Sequence, residues 1–183
     1  MKKYYYIKGT ALKINYKDGR MIYFDYRFME VAQPIIEHEE YQQMRKIKHH
    51  DESVFDHSVK VAFYAYKIAY KHNLDWESTI RGALLHDFFL YKFKKCMSLR
   101  IITDSIKHAI AHPIIAYDNA SKYFDLNDKE ENIIKAHMFP FGLPKSKEAW
   151  IVSYVDKYIA TFEYASNIKK MTHRRKQPVY TTE

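Results

Sequence analysis

A carboxylate in the middle of an apolar helix face constrains this chain more than any other feature. From about Ser146 to Ser166 the periodicity predicts a helix with the stripe Ala149, Val152, Asp156, Ile159 and Ala160. Burying an ionised carboxylate is costly unless it is paired or bound to a metal. A fold that packs this face must therefore bring a partner to Asp156.

Partners of the right kind stand on other apolar stripes. A helix is predicted from about Val54 to His72, capped by Ser53 and ended by Asn73, with His57, Val61, Ala65 and Ile68 at helical spacing. Asp75 caps a second, from about Trp76 to Leu90, which carries Ala83-Leu84-Leu85-His86-Asp87. Ile80, Ala83, Leu84 and Asp87 share a face there, and His86 lies about 100° around from Asp87. Asn127 caps a third, from Asp128 to about His137, with Asp128, Glu130 and Glu131 suited to its first-turn dipole. Ile133, Ile134 and His137 share its inner face. A lone histidine on an apolar face is more often a satisfied core residue than a ligand. Here His57, His86, His137 and Asp156 stand among apolar residues on separate helices, with Asp87 adjoining. Neutral imidazole and carboxylate together suit zinc, iron, manganese or cobalt. Convergent helices bring such distant residues within coordination reach.

The rest of the chain sets bounds. Its 183 residues fit one domain, and 47% hydrophobic residues suffice for a core. No apolar run approaches the roughly 20 residues of a membrane span, and Met1-Lys2-Lys3-Tyr4-Tyr5-Tyr6 lacks the apolar core of a signal peptide. One cysteine, Cys96, makes a reducing cytoplasm the expected compartment. The formal charge of +8 favours anionic partners: a small phosphorylated substrate first, nucleic acid only second. The 17 tyrosines read mainly as core and rim packing. A Gly-rich phosphate loop, a CxxC pair and a GxSxG elbow are all missing from the sequence.

In chain order, Leu12, Ile14 and Tyr16 alternate with polar residues, and Met21 and Tyr23 follow the turn Lys17-Asp18-Gly19-Arg20. This predicts an N-terminal β-hairpin. Pro34 is expected to open a helix running to about Ile47. Tyr91 to Ala111 reads as a basic stretch, either a solvated connector or a phosphate-facing lid, with a short helix from about Asp104, and His112-Pro113 as the start of a new helix. Lys169-Lys170 and His173 to Lys176 read as a solvated basic tail. The organisation expected is an extension over 1–45, a metal-binding helical domain over 46–168 and a tail over 169–183.

The order His57, then His86-Asp87, then Asp156, resembles the HD-domain superfamily of metal-dependent phosphohydrolases over roughly Lys48 to Glu163. The resemblance implies a mainly α, HD-domain-like helical bundle, to which the hairpin would be an addition. It maps His57, His86, Asp87 and Asp156 onto the core metal positions, with Asp87 bridging where two ions are present. His112 and His137 map onto the extra ligands of dinuclear members; His108, one turn earlier, competes with His112, and the following proline favours His112. Two divalent ions (Fe, Mn, Co or Zn) are thus expected, and with them hydrolysis of a phosphate ester or anhydride, of a nucleotide above all, by activated water. Asp87 and His50 are the candidate catalytic residues, His50 as proton donor to the leaving group, and Lys92 and Lys157 the candidate phosphate contacts. His86-Asp87 is followed by Phe88-Phe89-Leu90 where many members have Ile-Gly-Lys, and the Gly-Tyr-Pro signature of the cyclic-di-GMP phosphodiesterase branch is missing. The aromatic pair is expected to line the pocket. Two other classes stay open: a non-catalytic nucleotide-binding module, which the complete ligand set argues against, and a di-iron oxygenase. The sequence leaves the oligomeric state open.

Overall fold

The computed structural model describes residues 4–5, 13–15, 21–23, 26–49, 52–89 and 101–175, with side chains at 26–47, 53–89 and 109–162. The described residues are mainly α-helical. A small antiparallel sheet is formed by β1 (Tyr4–Tyr5), β2 (Lys13–Asn15) and β3 (Met21–Tyr23), in the order β1-β2-β3. Ile14 of β2 pairs antiparallel with Ile22 of β3, and the turn Lys17-Asp18-Gly19-Arg20 expected between them lies outside the described residues. β1 is a third strand that the alternation did not announce, because it is only Tyr4–Tyr5.

Among the described residues seven helices follow: α1 (Tyr26–Ile36), α2 (Glu39–Gln42), α3 (Val54–Lys71), α4 (Trp76–Leu85), α5 (Ile101–Tyr123), α6 (Asp128–Ala136) and α7 (Lys147–Arg175). A 3-10 turn (Gln43–Lys46) and a two-residue ladder between β4 (Lys48–His49) and β5 (Glu52–Ser53) link α2 to α3. The caps read from sequence are in place. Ser53 Oγ accepts from the Asp56 amide at 3.1 Å, and Asp75 Oδ1 from the Ser78 amide at 3.0 Å. Asn127 and Glu130 form a reciprocal capping box on α6. Asn73 ends α3 in the left-handed region at φ 54°, which asparagine tolerates.

Several boundaries differ from expectation: α4 ends at Leu85 instead of about Leu90, and the helix expected to run to about Ile47 ends at Ile36. Pro34 lies inside α1 instead of opening a helix, since Phe28, Ala32 and Ile35 already supply a buried stripe ahead of it. Pro113 likewise lies inside α5, which runs unbroken where a short helix and a new start were expected. A proline there forfeits one main-chain bond. The buried series Ala109, His112, Ala116 and Ala120 nonetheless continues across it, so packing of one continuous face outweighs that loss. α7 extends past Ser166 to Arg175, taking in the first part of the basic tail, because no glycine or proline interrupts the chain before Pro178.

α3 packs against α4 and α7; α4 also meets α1 and α6; α6 in turn meets α5 and α7. The core between them holds Phe28, Tyr41, Phe55, Tyr66, Phe88 and Leu84, all fully buried or nearly so. Tyr41 shows how a polar tip is accommodated: its ring lies 5.4 Å from Phe55 and 5.5 Å from Phe88, and its hydroxyl donates to the Leu84 carbonyl at 2.8 Å. At Gly82 α4 packs tightly on α6; a Cβ there would lie 2.8 Å from Ile133 Cγ2. Among the described residues no helix is long and apolar enough to cross a membrane.

Candidate metal centre

Three helices and the ends of two others deliver the site. α3 contributes His57 from its first turn, α4 ends where His86 and Asp87 begin, and α5 contributes His112. α6 ends at His137, and α7 contributes Asp156. All of these residues are buried in an otherwise apolar core.

The ligand-type atoms fall into two groups that share one residue. His57, His86 and Asp87 form one, and Asp87, His112 and His137 the other, with the relevant atoms of each within 4.8 Å of one another. Asp156 closes the first: its Oδ1 lies 3.0 Å from His57 Nε2 and 3.7 Å from His86 Nε2. Asp87 faces both, with Oδ2 3.5 Å from His86 Nε2 and Oδ1 3.1 Å from His112 Nε2 and 3.6 Å from His137 Nε2. The imidazoles of His112 and His137 meet with Nε2 atoms 2.7 Å apart.

Main-chain bonds decide which imidazole nitrogens carry lone pairs. His86 Nδ1 donates to the Ala83 carbonyl and His137 Nδ1 to the Ile134 carbonyl, each at 2.7 Å. A carbonyl has no proton to give, so Nδ1 holds the hydrogen and Nε2 of the neutral ring points a lone pair into the cluster. His86 Nε2 is buried there without a hydrogen-bond partner. Leaving a polar atom so costs about 1–3 kcal/mol unless a ligand satisfies it. A lone pair facing the carboxylates of Asp87 and Asp156 is favourable with a proton or a metal ion between them.

The titration behaviour follows. Burial alone would lower the His86 pKa, but the carboxylates of Asp87 and Asp156 outweigh it and hold the imidazole above its ordinary value. Burial, reinforced by His86, pushes His137 down to about 3, so it stays neutral. Burial works against ionised Asp87 and Asp156, yet the surrounding histidines hold both well below the usual carboxylate range. Two ionised carboxylates with inward nitrogen lone pairs form a mixed N/O donor set of the kind divalent transition metals take. The residues present therefore fit such an ion.

Three further bonds fix the main chain that carries these ligands. Tyr41 holds the Leu84 carbonyl, and Asn119, two turns beyond His112 on α5, donates to the Phe88 carbonyl at 2.9 Å. Ser153 Oγ donates to the carbonyl of His137 at 2.7 Å.

The family comparison covers the whole constellation: the HD domain matches residues 54–161. The chain belongs to the HD-domain family. No curated protein matches it. As an HD domain it falls in a superfamily of metal-dependent hydrolases, and its clustered histidines and aspartates suit a divalent ion.

Of the remaining expected site residues, only Lys157 is described. Lys157 is exposed, but its ammonium lies 2.7 Å from both the His137 carbonyl and Ser153 Oγ. Burial pushes its pKa down, against the pull of Asp156. His50 and Lys92 lie outside the described residues. Phe88 is packed in the core against Tyr41, whereas Phe89 sits with its ring 6.1 Å from that of His112. Ser153, Asn119 and Tyr41 were not singled out from the sequence. Each acts on a main-chain carbonyl, and a residue pattern does not say which carbonyl a distant side chain will meet.

Proposed function

We propose that this HD domain is a metal-dependent phosphohydrolase acting in the cytoplasm on a nucleotide or other small phosphate ester. One observation carries the proposal: Asp87 belongs to both groups of ligand atoms, the arrangement needed to hold two ions side by side. His57, His86, Asp87 and Asp156 would hold the first ion, and Asp87, His112 and His137 the second; Fe, Mn, Co and Zn suit the donors better than Mg, which prefers oxygen. Such ions, when bound, lower the pKa of coordinated water towards neutrality and offset charge on a phosphoryl group.

The chain's own residues do the positioning. Asp87, ionised and shared, sets the spacing of the two groups. The Nδ1 bonds of His86 and His137 keep both rings in the tautomer that presents Nε2. The apolar core excludes bulk water from their outer faces. His50 is proposed as proton donor to the leaving oxygen and Lys92 as a phosphate contact; the sequence places both at the borders of the ligand-bearing helices. The helical unit over 46–168 is proposed as the functional domain. Helix α1 of the 1–45 extension supplies Phe28, Ala32, Ile35 and Ile36 to the core cluster.

The test is a screen of mono-, cyclic and dinucleotides with metal-stripped protein, adding Mn, Fe, Co or Zn singly. Metal-dependent release of phosphate or nucleoside monophosphate is expected. Tight nucleotide binding without turnover under any metal would replace the enzyme by a binding module. Oxygen uptake without phosphate release would replace it by an oxygenase.

A further inference from the structure

Helix α6 ends at Ala136 with His137 as its C-cap, so the last carbonyls need partners from outside the helix. The Ile134 carbonyl takes the ring of His137 itself, and the Ala136 carbonyl takes the Phe139 amide at 3.2 Å. The carbonyl of His137 takes two donors from α7: Ser153 Oγ and Lys157 Nζ, each at 2.7 Å. Lys157 Nζ also bonds Ser153 Oγ at 2.7 Å and reaches the Ser153 carbonyl at 3.4 Å.

An ammonium has three donors, and three acceptors stand around this one. Ser153 gives its single proton to the His137 carbonyl and accepts from Lys157, so the triangle is self-consistent. A cation at this place is also favoured by the negative end of the α6 dipole. Lys157 therefore has its donors committed to protein oxygens, and to reach a phosphate it would have to release the carbonyl of His137.

The next residue back along α7 is Asp156, which closes the first ligand group through His57. Consecutive helical residues diverge by about 100°. One turn of α7 thus sends Asp156 to the first ligand group and Lys157 to the main chain of a histidine in the second.

We propose that Lys157 and Ser153 form a clamp that positions His137, making Lys157 a positioning residue of the second group and not a phosphate contact. This rests on His137 being a metal ligand. The test uses the full chain stripped of metal and titrated with Co(II), followed by calorimetry and visible absorption. Phosphate inhibition is measured at saturating Co(II). Lys157→Met is expected to weaken the second Co(II) by about 10–100-fold, the usual effect of losing a group that orients a ligand. The first Co(II) and the inhibition constant for inorganic phosphate should stay at parental values. Ser153→Ala, which keeps the lysine, should weaken the second Co(II) in the same direction, and it carries the test if Lys157→Met fails to fold. Parental binding of both ions by the variants sinks the clamp. So does unchanged Co(II) binding with weaker phosphate inhibition, which would return Lys157 to the substrate. A parent chain that takes up fewer than two Co(II) removes the second site itself, and is told apart from the other failures by the parent titration alone.

Discussion

Gly82 on α4 faces Ile133 on α6 so closely that a methyl group on it would lie 2.8 Å from Ile133 Cγ2 and 2.9 Å from Ile133 Cβ. The contact sits one turn before His86 and one turn before His137. It sets how near the two ligand-bearing helix ends approach.

Gly82→Ala is therefore expected to destabilise the protein, against the general rule for helix interiors. Alanine ordinarily gains about 0.5–1 kcal/mol over glycine inside a helix. Overpacking a tight core costs about 1–3 kcal/mol, and Ile133 Cβ is anchored to its backbone and cannot rotate away. The net expectation is a lower urea midpoint, with reduced metal uptake as α6 is pushed outwards. A raised midpoint would mean that α6 yields without strain and that this spacing is not set by Gly82.

The shared position of Asp87 gives a prediction in metal counts. His112→Ala combined with His137→Ala should leave about half of the parent's bound metal, because the first group stays complete. Asp87→Ala should leave almost none, since both groups lose a ligand and three buried imidazoles lose their balancing charge. Elemental analysis of the purified variants reads this directly. An Asp87→Ala protein with as much metal as the double histidine variant would show that Asp87 serves one group only.

Asn119 tests the support of that aspartate. Removing its bond to the Phe88 carbonyl by Asn119→Ala should cost about 0.5–1.5 kcal/mol and weaken metal uptake at Asp87, one residue before. Equal metal affinity in the variant would confine Asn119 to stability.

Much of this was legible because its signals are local. Ser53, Asp75 and Asn127 announce helix starts through their own side chains, and the 3.6-residue stripes put His57, Asp87 and His137 on inward faces. Asp156 was legible as an anomaly, since a buried carboxylate demands a partner. What escaped depends on contacts between segments. Pro113 looks like a helix start until the buried face from Ala109 to Ala120 is seen to run through it. Lys157 looks like a free cation until the end of α6 arrives beside it. Phe88 follows a ligand pair, yet the direction of its ring is decided by the aromatic core around Tyr41.

The last prediction concerns acid stability away from the metal centre. Lys129 on α6 bonds Asp75 Oδ2 at 2.9 Å and Glu148 Oε1 at 3.1 Å, and the Asp75 amide donates to the same Glu148 oxygen at 3.1 Å. These contacts tie together the starts of α4, α6 and α7. Burial opposes ionisation of both carboxylates, but the lysine and main-chain donors outweigh it and hold them below their ordinary values of 3.8 and 4.5. Between the folded and unfolded pKa values the unfolded chain binds more protons, so stability rises with pH across that window. The contribution is complete above about 4.5 and is lost as pH falls through the lowered folded values. Lys129→Met should lift both folded pKa values, flattening the rise of stability between about pH 3 and pH 5. Because Lys129 and Asp75 are partly exposed, the loss at neutral pH should be modest, about 0.2–1 kcal/mol per pair. Urea midpoints of parent and variant, measured across this range on metal-stripped protein, check it. Parallel curves would assign the acid sensitivity to other carboxylates.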